Sequence, residues 1–478
     1  MIQRRAIWVI AVVTLGGLTA AGSLWWRANE RDAIVAASIP HRPDLSALPA
    51  EMTQRVEACE RRAQSGPDRI EALGELSRLY HANGFFAEAS QCYQGLLQVD
   101  SADPRWWHRL ATIVAGYGQL DDALPLWRRA AILAPDHVQI RLRLADALLK
   151  TNQNAEAAKV YSKALEREPQ NPYALLGLAR LDIDAGRWDS ARERLEVVVQ
   201  KSNYRIGYDL LPTVYEHLGE TTRAEAIRAR YKASGAFYDV PDPWVDELVD
   251  DCYDTYRISA AAGTANHVGD THAAIHILER ALEIAPNKLE LQFQMAGFYL
   301  QLRDYANARR YFERCTVLAP SFADGWAQLS DLLLEQGEQQ ASERALVDGL
   351  ANCPNSPGLH LALGQRMSAA GRLPEAIQEF KETIHLRPQE ADGYVELASA
   401  YFHLDRIKDG IAELQKSLQV EPENPTALST LAFVAIRTGD QAGAREWLHH
   451  VRQQARILPE SREALEKAFR DQFGQPPD

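Results

Sequence analysis

From residue 70 onward a bulky apolar residue followed directly by a small one returns every 34 residues: Leu76-Ser77, Leu110-Ala111, Leu144-Ala145, Leu178-Ala179, then Met295-Ala296, Leu329-Ser330, Leu363-Gly364, Leu397-Ala398 and Leu431-Ala432. A second small residue follows twelve positions later, as Ala89, Ala123, Ala157, Ala191, Ala274, Ala308, Ser342, Ala376, Gly410 and Ala444. Four positions further on stands bulk again, as Tyr93, Trp127, Tyr161, Leu195, Leu278, Phe312, Leu346, Phe380, Leu414 and Leu448. Two helices cross closely only where their side chains are small, and larger neighbours fill the space beside the crossing. The pattern therefore predicts two antiparallel helices in every unit. Gly84, Gly118, Gly186, Gly269, Gly337, Gly371 and Gly439 fall between the two halves, where a helix C-cap needs glycine, and Asn152 takes that place once.

The prolines keep the same interval, at 135 and 169 and again at 286, 320, 354, 388 and 422. Units start at 70, 104, 138 and 172, then at 255, 289, 323, 357, 391 and 425. A fifth unit fits residues 205–238 with the frame slipped by one, through Leu211, Pro212, Tyr215, Gly219 and Ala224, and Pro212 predicts a kink or an altered start there. Unit 289–322, LELQFQMAGFYLQLRDYANARRYFERCTVLAPSF, resembles the tetratricopeptide repeat (TPR) family in Ala296, Tyr299, Ala308, Phe312 and Pro320. The family's aromatic residue at the fourth position survives as Trp107, Trp326 and Tyr394. The resemblance implies an all-α fold, an α-solenoid or right-handed superhelix of about eleven TPR helix-turn-helix units, in two blocks at 70–238 and 255–456.

Other segments complete the array. Residues 51–69 predict an N-terminal capping helix and residues 457–478 a C-terminal one, with Ala464, Leu465, Ala468, Phe469 and Phe473 on one face. Residues 27–50, with Pro40, Pro43 and Pro49, are expected to form a linker. Residues 1–26 carry Arg4 and Arg5 and then an uncharged run from Ala6 to Trp26, near the ~20 residues that cross a bilayer. One N-terminal transmembrane helix is expected, a signal anchor with residues 7–26 in an inner membrane and the repeats periplasmic. The alternative is a signal peptide cleaved near Thr19-Ala20-Ala21 or Ala20-Ala21-Gly22, leaving the repeats free in the periplasm.

The irregular segment is 239–254, DVPDPWVDELVDDCYD, with acids and no base. One reading is a short helix started by Asp242 and Pro243, with Trp244, Leu248 and Cys252 buried, that splices the two blocks. The other is a binding element in which Trp244 anchors and carboxylates such as Asp246 and Asp250 face a basic partner. An EF-hand spacing for calcium is absent.

The formal charge of −13 argues against nucleic acid as a partner. Five separated cysteines provide no local metal or haem motif. No nucleotide, zinc-protease or nucleophile-elbow motif occurs, so no catalytic residue, metal site or cofactor is expected. Function is then expected to lie in other proteins or peptide segments held in the concave groove. The family resemblance places Arg78, His108, Thr112, Asp146, Arg180, Phe293, Asp331 and Gln365 on that surface, without the Lys and Asn that family members use to clamp a C-terminal carboxylate. The expectation is a non-enzymatic scaffold or adaptor for assembling an envelope or membrane complex, the alternative a permanent structural subunit of a larger membrane enzyme complex.

Overall fold

The first helices of the repeats begin where the sequence supplies a cap. Asp103, Asn171, Ser356 and Asn424 each accept a backbone N–H of the next turn, and each is followed by a proline at the first helical position. The proline needs no intrahelical donor there, and the side-chain oxygen satisfies an orphan amide. The computed structural model describes residues 26, 28–202, 204–231, 242–267, 269–454 and 456–477. Among them the protein is an all-helical TPR solenoid.

One unit spans residues 1–286 and the other 287–478. In the first, a capping helix Ala50–Ser65 precedes the pairs Arg69–Ala82 with Phe86–Val99, Pro104–Gly116 with Leu120–Leu133, Val138–Lys150 with Asn154–Arg167, Pro172–Asp184 with Trp188–Lys201, and Arg205–His217 with Thr221–Tyr231. A short helix Pro243–Asp246 and a 3-10 turn Glu247–Asp251 follow, and then the pair Thr255–His267 with Thr271–Ile284. The second unit holds Leu289–Gln301 with Tyr305–Leu318, Ala323–Glu335 with Gln339–Asn352, Pro357–Ala369 with Leu373–Leu386, Asp392–His403 with Ile407–Val420, and Pro425–Thr438 with Gln441–Gln453. Helix Pro459–Phe473 covers its end through Leu465 and Phe469.

The core is a chain of small clusters. Val114 and Leu126 touch both the first and the second cluster, and Leu165 and Tyr173 both the second and the third. Each pair is thus stabilised by its neighbours, as expected of a quasi-one-dimensional array. At the crossings Ala89, Ala111, Ala123 and Ala308 are wholly buried. Where both crossing residues are serine, Ser330 and Ser342, their hydroxyls bond each other at 2.8 Å. Gly364 is more demanding: a Cβ there would lie 2.6 Å from the ring of Phe380.

The turn inside each pair is left-handed throughout. Where glycine is missing, Asn152, Arg303 and Asp405 adopt φ of 59°, 58° and 58°. A non-glycine residue in that region costs about 1 kcal/mol or more, so Arg303 and Asp405 are held there by the packing of their pairs. Helix Arg205–His217 runs through Pro212, as Leu120–Leu133 runs through Pro125.

The expected linker is different in part. Residues 28–37 are helical, Val35 and Leu45 are buried in the first cluster beside Met52, Val56 and Leu76, and Arg42 pairs with Glu57 at 2.8 Å. Apolar residues between the three prolines give this stretch a reason to fold onto the first pair. The expected transmembrane helix, residues 7–26, lies outside the described residues except for Trp26; among the described residues no helix is long and apolar enough to cross a membrane.

Candidate functional site

The first helices of the pairs line one face of residues 50–286, and the chain's own acidic segment lies on it. From Asp242 to Asp254 it runs back against chain order, from the third and second pairs to the first. A short helix does start at Asp242 and Pro243, and Leu248 and Cys252 are buried, as the first reading expects, while Trp244 is only half-buried. The segment has only one short helix and a single 3-10 turn, and it delivers the following pair beside the first. There Arg257 donates to the Ala82 carbonyl at 2.8 Å and lies over the Phe86 ring. The physical reason is polar: seven acids in sixteen residues suit a basic face better than an apolar helix crossing.

The contacts begin at Asp242, almost wholly buried, whose Oδ2 meets Nε2 of the equally buried His108 at 2.7 Å. Burial alone would raise the Asp242 carboxyl, but His108, Arg143 and His137 together hold it below the usual carboxylate range. Its other oxygen, Oδ1, has no hydrogen-bond partner among the described residues. Trp244 is half-buried, with its ring 4.0 Å from that of His137 and 5.9 Å from that of His108. Beneath it Arg109, buried to 1% exposure, donates through Nε to the Trp244 carbonyl at 2.9 Å and pairs with Glu247.

Further along, the Asp251 carboxylate is shared by Arg55, at 2.8 Å, and Arg78, at 2.9 Å. Asn83 reads the backbone. Its Nδ2 donates to the Asp251 carbonyl at 2.9 Å, and its Oδ1 accepts the N–H groups of Tyr253 at 2.6 Å and Asp254 at 3.1 Å. Leu248, Cys252 and Tyr253 are buried. His81, behind this seat, is pushed down to about 3 by its burial and then by Arg109, Arg257 and His108.

Beyond the segment the face stays open. A cavity of about 500 Å³ is lined by Thr112, Trp127, Arg143, Asp146, Lys150, Tyr173, Leu176, Arg180 and Ile206, with Val245 of the acidic segment on one side. Asp146 accepts from the Tyr161 hydroxyl, and burial raises its carboxyl above the usual range against that bond and the pull of Arg143, Lys150 and Arg180.

The residues singled out in the sequence fall into separate places. Arg78 and His108 hold the acidic segment, Trp244 is seated in it, and Asp246 accepts the Asp242 N–H at 3.0 Å. Asp250 is exposed. Thr112, Asp146 and Arg180 line the open cavity. In the second unit Phe293 packs on Phe312 and Phe322, Asp331 pairs with Arg366 at 2.5 Å, and Gln365 donates to Glu396 at 2.8 Å. Sequence reasoning missed Arg55, Asn83, Arg109 and Arg143. Arg109 and Arg143 share a position within their units beside the apolar filler, where a cation is a signal of something to pair with.

Two family models, each described as tetratricopeptide repeat, match this chain, one at residues 152–203 and 267–314, the other at 115–172, 295–357 and 361–419. The chain is similar to the TPR repeat-containing protein YpiA of Bacillus subtilis, 25% identical over 174 residues that make up 36% of this chain and 41% of that protein. It is also similar to the cellulose synthase operon protein C of Pseudomonas fluorescens, 24% identical over 419 residues, 76% of this chain and 32% of that protein. The chain therefore spans less than half the length of these curated relatives. Among solved structures, yeast Tom70 aligns with a TM-score of 0.38 at 15% identity, over 84% of this chain and 96% of that one.

Proposed function

We propose that this chain, which is built of tetratricopeptide repeats, is a non-enzymatic scaffold that holds an extended segment of another protein on the first-helix face of residues 50–286. TPR proteins act as protein-interaction scaffolds, using the extended surfaces that stacked pairs create. One observation carries the reading here. The face already holds an acidic segment of its own chain, a short helix and a 3-10 turn that end in a non-helical stretch at Cys252–Asp254, through the backbone contacts of Asn83 and the carboxylate contacts of Arg55, Arg78 and His108. A surface that pairs peptide N–H and C=O groups can take a segment from another chain in the same way. The uncharged run from Ala6 to Trp26 supports a membrane-tethered scaffold with extracytoplasmic repeats, working in the assembly of an envelope complex.

A photo-crosslinking residue placed at Leu176, in the open cavity, tests this in intact cells against the same residue at Ile132, which is exposed on a second helix. Protein adducts at 176 and none at 132 are expected. Equal adducts, or none at 176, refute the reading. One fixed stoichiometric adduct would instead indicate a permanent complex subunit. For topology, a reporter fused after Asp478 should be active outside the cytoplasm, and cytoplasmic activity refutes the tether.

A further inference from the structure

We infer that the open cavity takes an acidic extended peptide of the partner, its carboxylates received by Lys150 and Arg180 and its apolar side chains by Leu176, Tyr173 and Ile206. This rests on the reading of the face as a peptide groove and adds the chemistry of its occupant.

Charge is the first argument. In a chain with a formal charge of −13, three cations, Arg143, Lys150 and Arg180, line one cavity with a single carboxylate, Asp146. That carboxylate is engaged by the Tyr161 hydroxyl, and it is one counter-charge set against three cations. Neither Lys150 nor Arg180 has a salt-bridge partner among the described residues, whereas the other cations of this face do: Arg55 and Arg78 with Asp251, Arg109 with Glu247, Arg143 with Asp242 at 3.6 Å. Cations that outnumber the carboxylate and have no salt-bridge partner beside a cavity give an acidic segment its attraction and its register.

Continuity is the second. Val245 forms part of the cavity wall, and Asp242 reaches Arg143, which also lines the cavity, so the seat of an acidic segment runs into the open space. How this face reads acids is visible next door. Carboxylates are taken by arginine and histidine, and the apolar residues Leu248, between them, and Cys252, directly after them, are buried. The cavity repeats that mixture, with Trp127, Leu149, Tyr173, Leu176 and Ile206 among the cations.

The experiment uses the full chain and a fluorescein-labelled dodecapeptide that alternates glutamate with leucine and tyrosine, followed by anisotropy. Its counterpart has lysine at every glutamate. The acidic peptide is expected to bind at least tenfold more tightly than the lysine peptide, with affinity falling as salt rises. Lys150→Glu combined with Arg180→Glu should weaken it at least tenfold, Arg180→Lys should keep most of the affinity, and Arg129→Glu on an exposed second-helix position should change nothing. Should the double reversal fail to fold, Lys150→Gln with Arg180→Gln replaces it, with a severalfold loss expected. Equal affinity for the two peptides, undiminished binding by a folded double variant, or equally tight binding of a single-stranded oligonucleotide overturns the inference. Crosslinks at Leu176 combined with charge-blind peptide binding would sink the acid preference and leave the scaffold reading standing; absence of both would sink the two together.

Discussion

Asn83 is the point where removing one side chain should release the acidic segment from its seat. The change Asn83→Ala deletes a bond to the Asp251 carbonyl at 2.9 Å and two from the Tyr253 and Asp254 amides at 2.6 and 3.1 Å, at a position where Asn83 is 7% exposed. A buried backbone group that loses its partner costs about 1–3 kcal/mol. Taken near the lower end of that range, with water reaching the half-buried Asp254, the three groups give a loss of about 2–3 kcal/mol in docking. At 1.4 kcal/mol per tenfold, local opening becomes roughly 30- to 150-fold more frequent. Hydrogen–deuterium exchange read at the Tyr253 and Asp254 amides measures this, with the interior amides of helix Pro172–Asp184 as the internal reference. Protection should fall by that factor for residues 251–254 and stay unchanged in the reference helix. Unaltered protection at Tyr253, in a variant that melts at the wild-type temperature, would refute the claim that Asn83 holds the backbone there.

Three further outcomes follow from other parts of the molecule. Gly364→Ala places a methyl group 2.6 Å from Phe380 and should destabilise the second unit by about 1–3 kcal/mol in urea denaturation, where no change would mean that the ring shifts freely. Arg303→Gly removes a left-handed arginine and should stabilise by about 0.5–1 kcal/mol in the same assay; a loss of stability would show that the Arg303 side chain matters more than its φ. The folded pKa of His81, about 3, lies below its unfolded value near 6.5, so the unfolded chain binds the extra proton and stability should fall as pH drops from about 6.5 toward 3. His81→Phe should flatten that decline in melting temperature, and an unchanged slope would locate the acid sensitivity elsewhere.

The helices were legible because each is specified locally. Capping Asp103 and Asn171 stand beside their prolines, small residues mark the crossings, and a glycine marks nearly every turn, all within one 34-residue unit. Which small residue is required was not legible: Gly364 faces Phe380 from the other helix of its pair, while Ala398 and Ala432 stand at the same position of their units. The site was legible by half. The position rule that picked out Arg78, His108 and Arg180 follows from a helix face, but Asn83 sits at a helix end and Arg55 on the capping helix, where no repeat position predicts them.

Periodic apolar and small residues act between neighbours at most a few dozen positions apart, so the pairing of helices into repeats can be read from the chain directly. The same period marks residues 239–254 as the place where it breaks. What that break does emerges from long-range packing alone. The segment's partners, Arg55, Asn83 and His108, lie more than 130 residues away along the chain, and contacts at that separation leave no period to read. Asp242, Glu247 and Asp251 each meet a separate basic side chain, and the Asn83 amide holds the backbone, because the stacking of separate pairs has placed these groups along a single face.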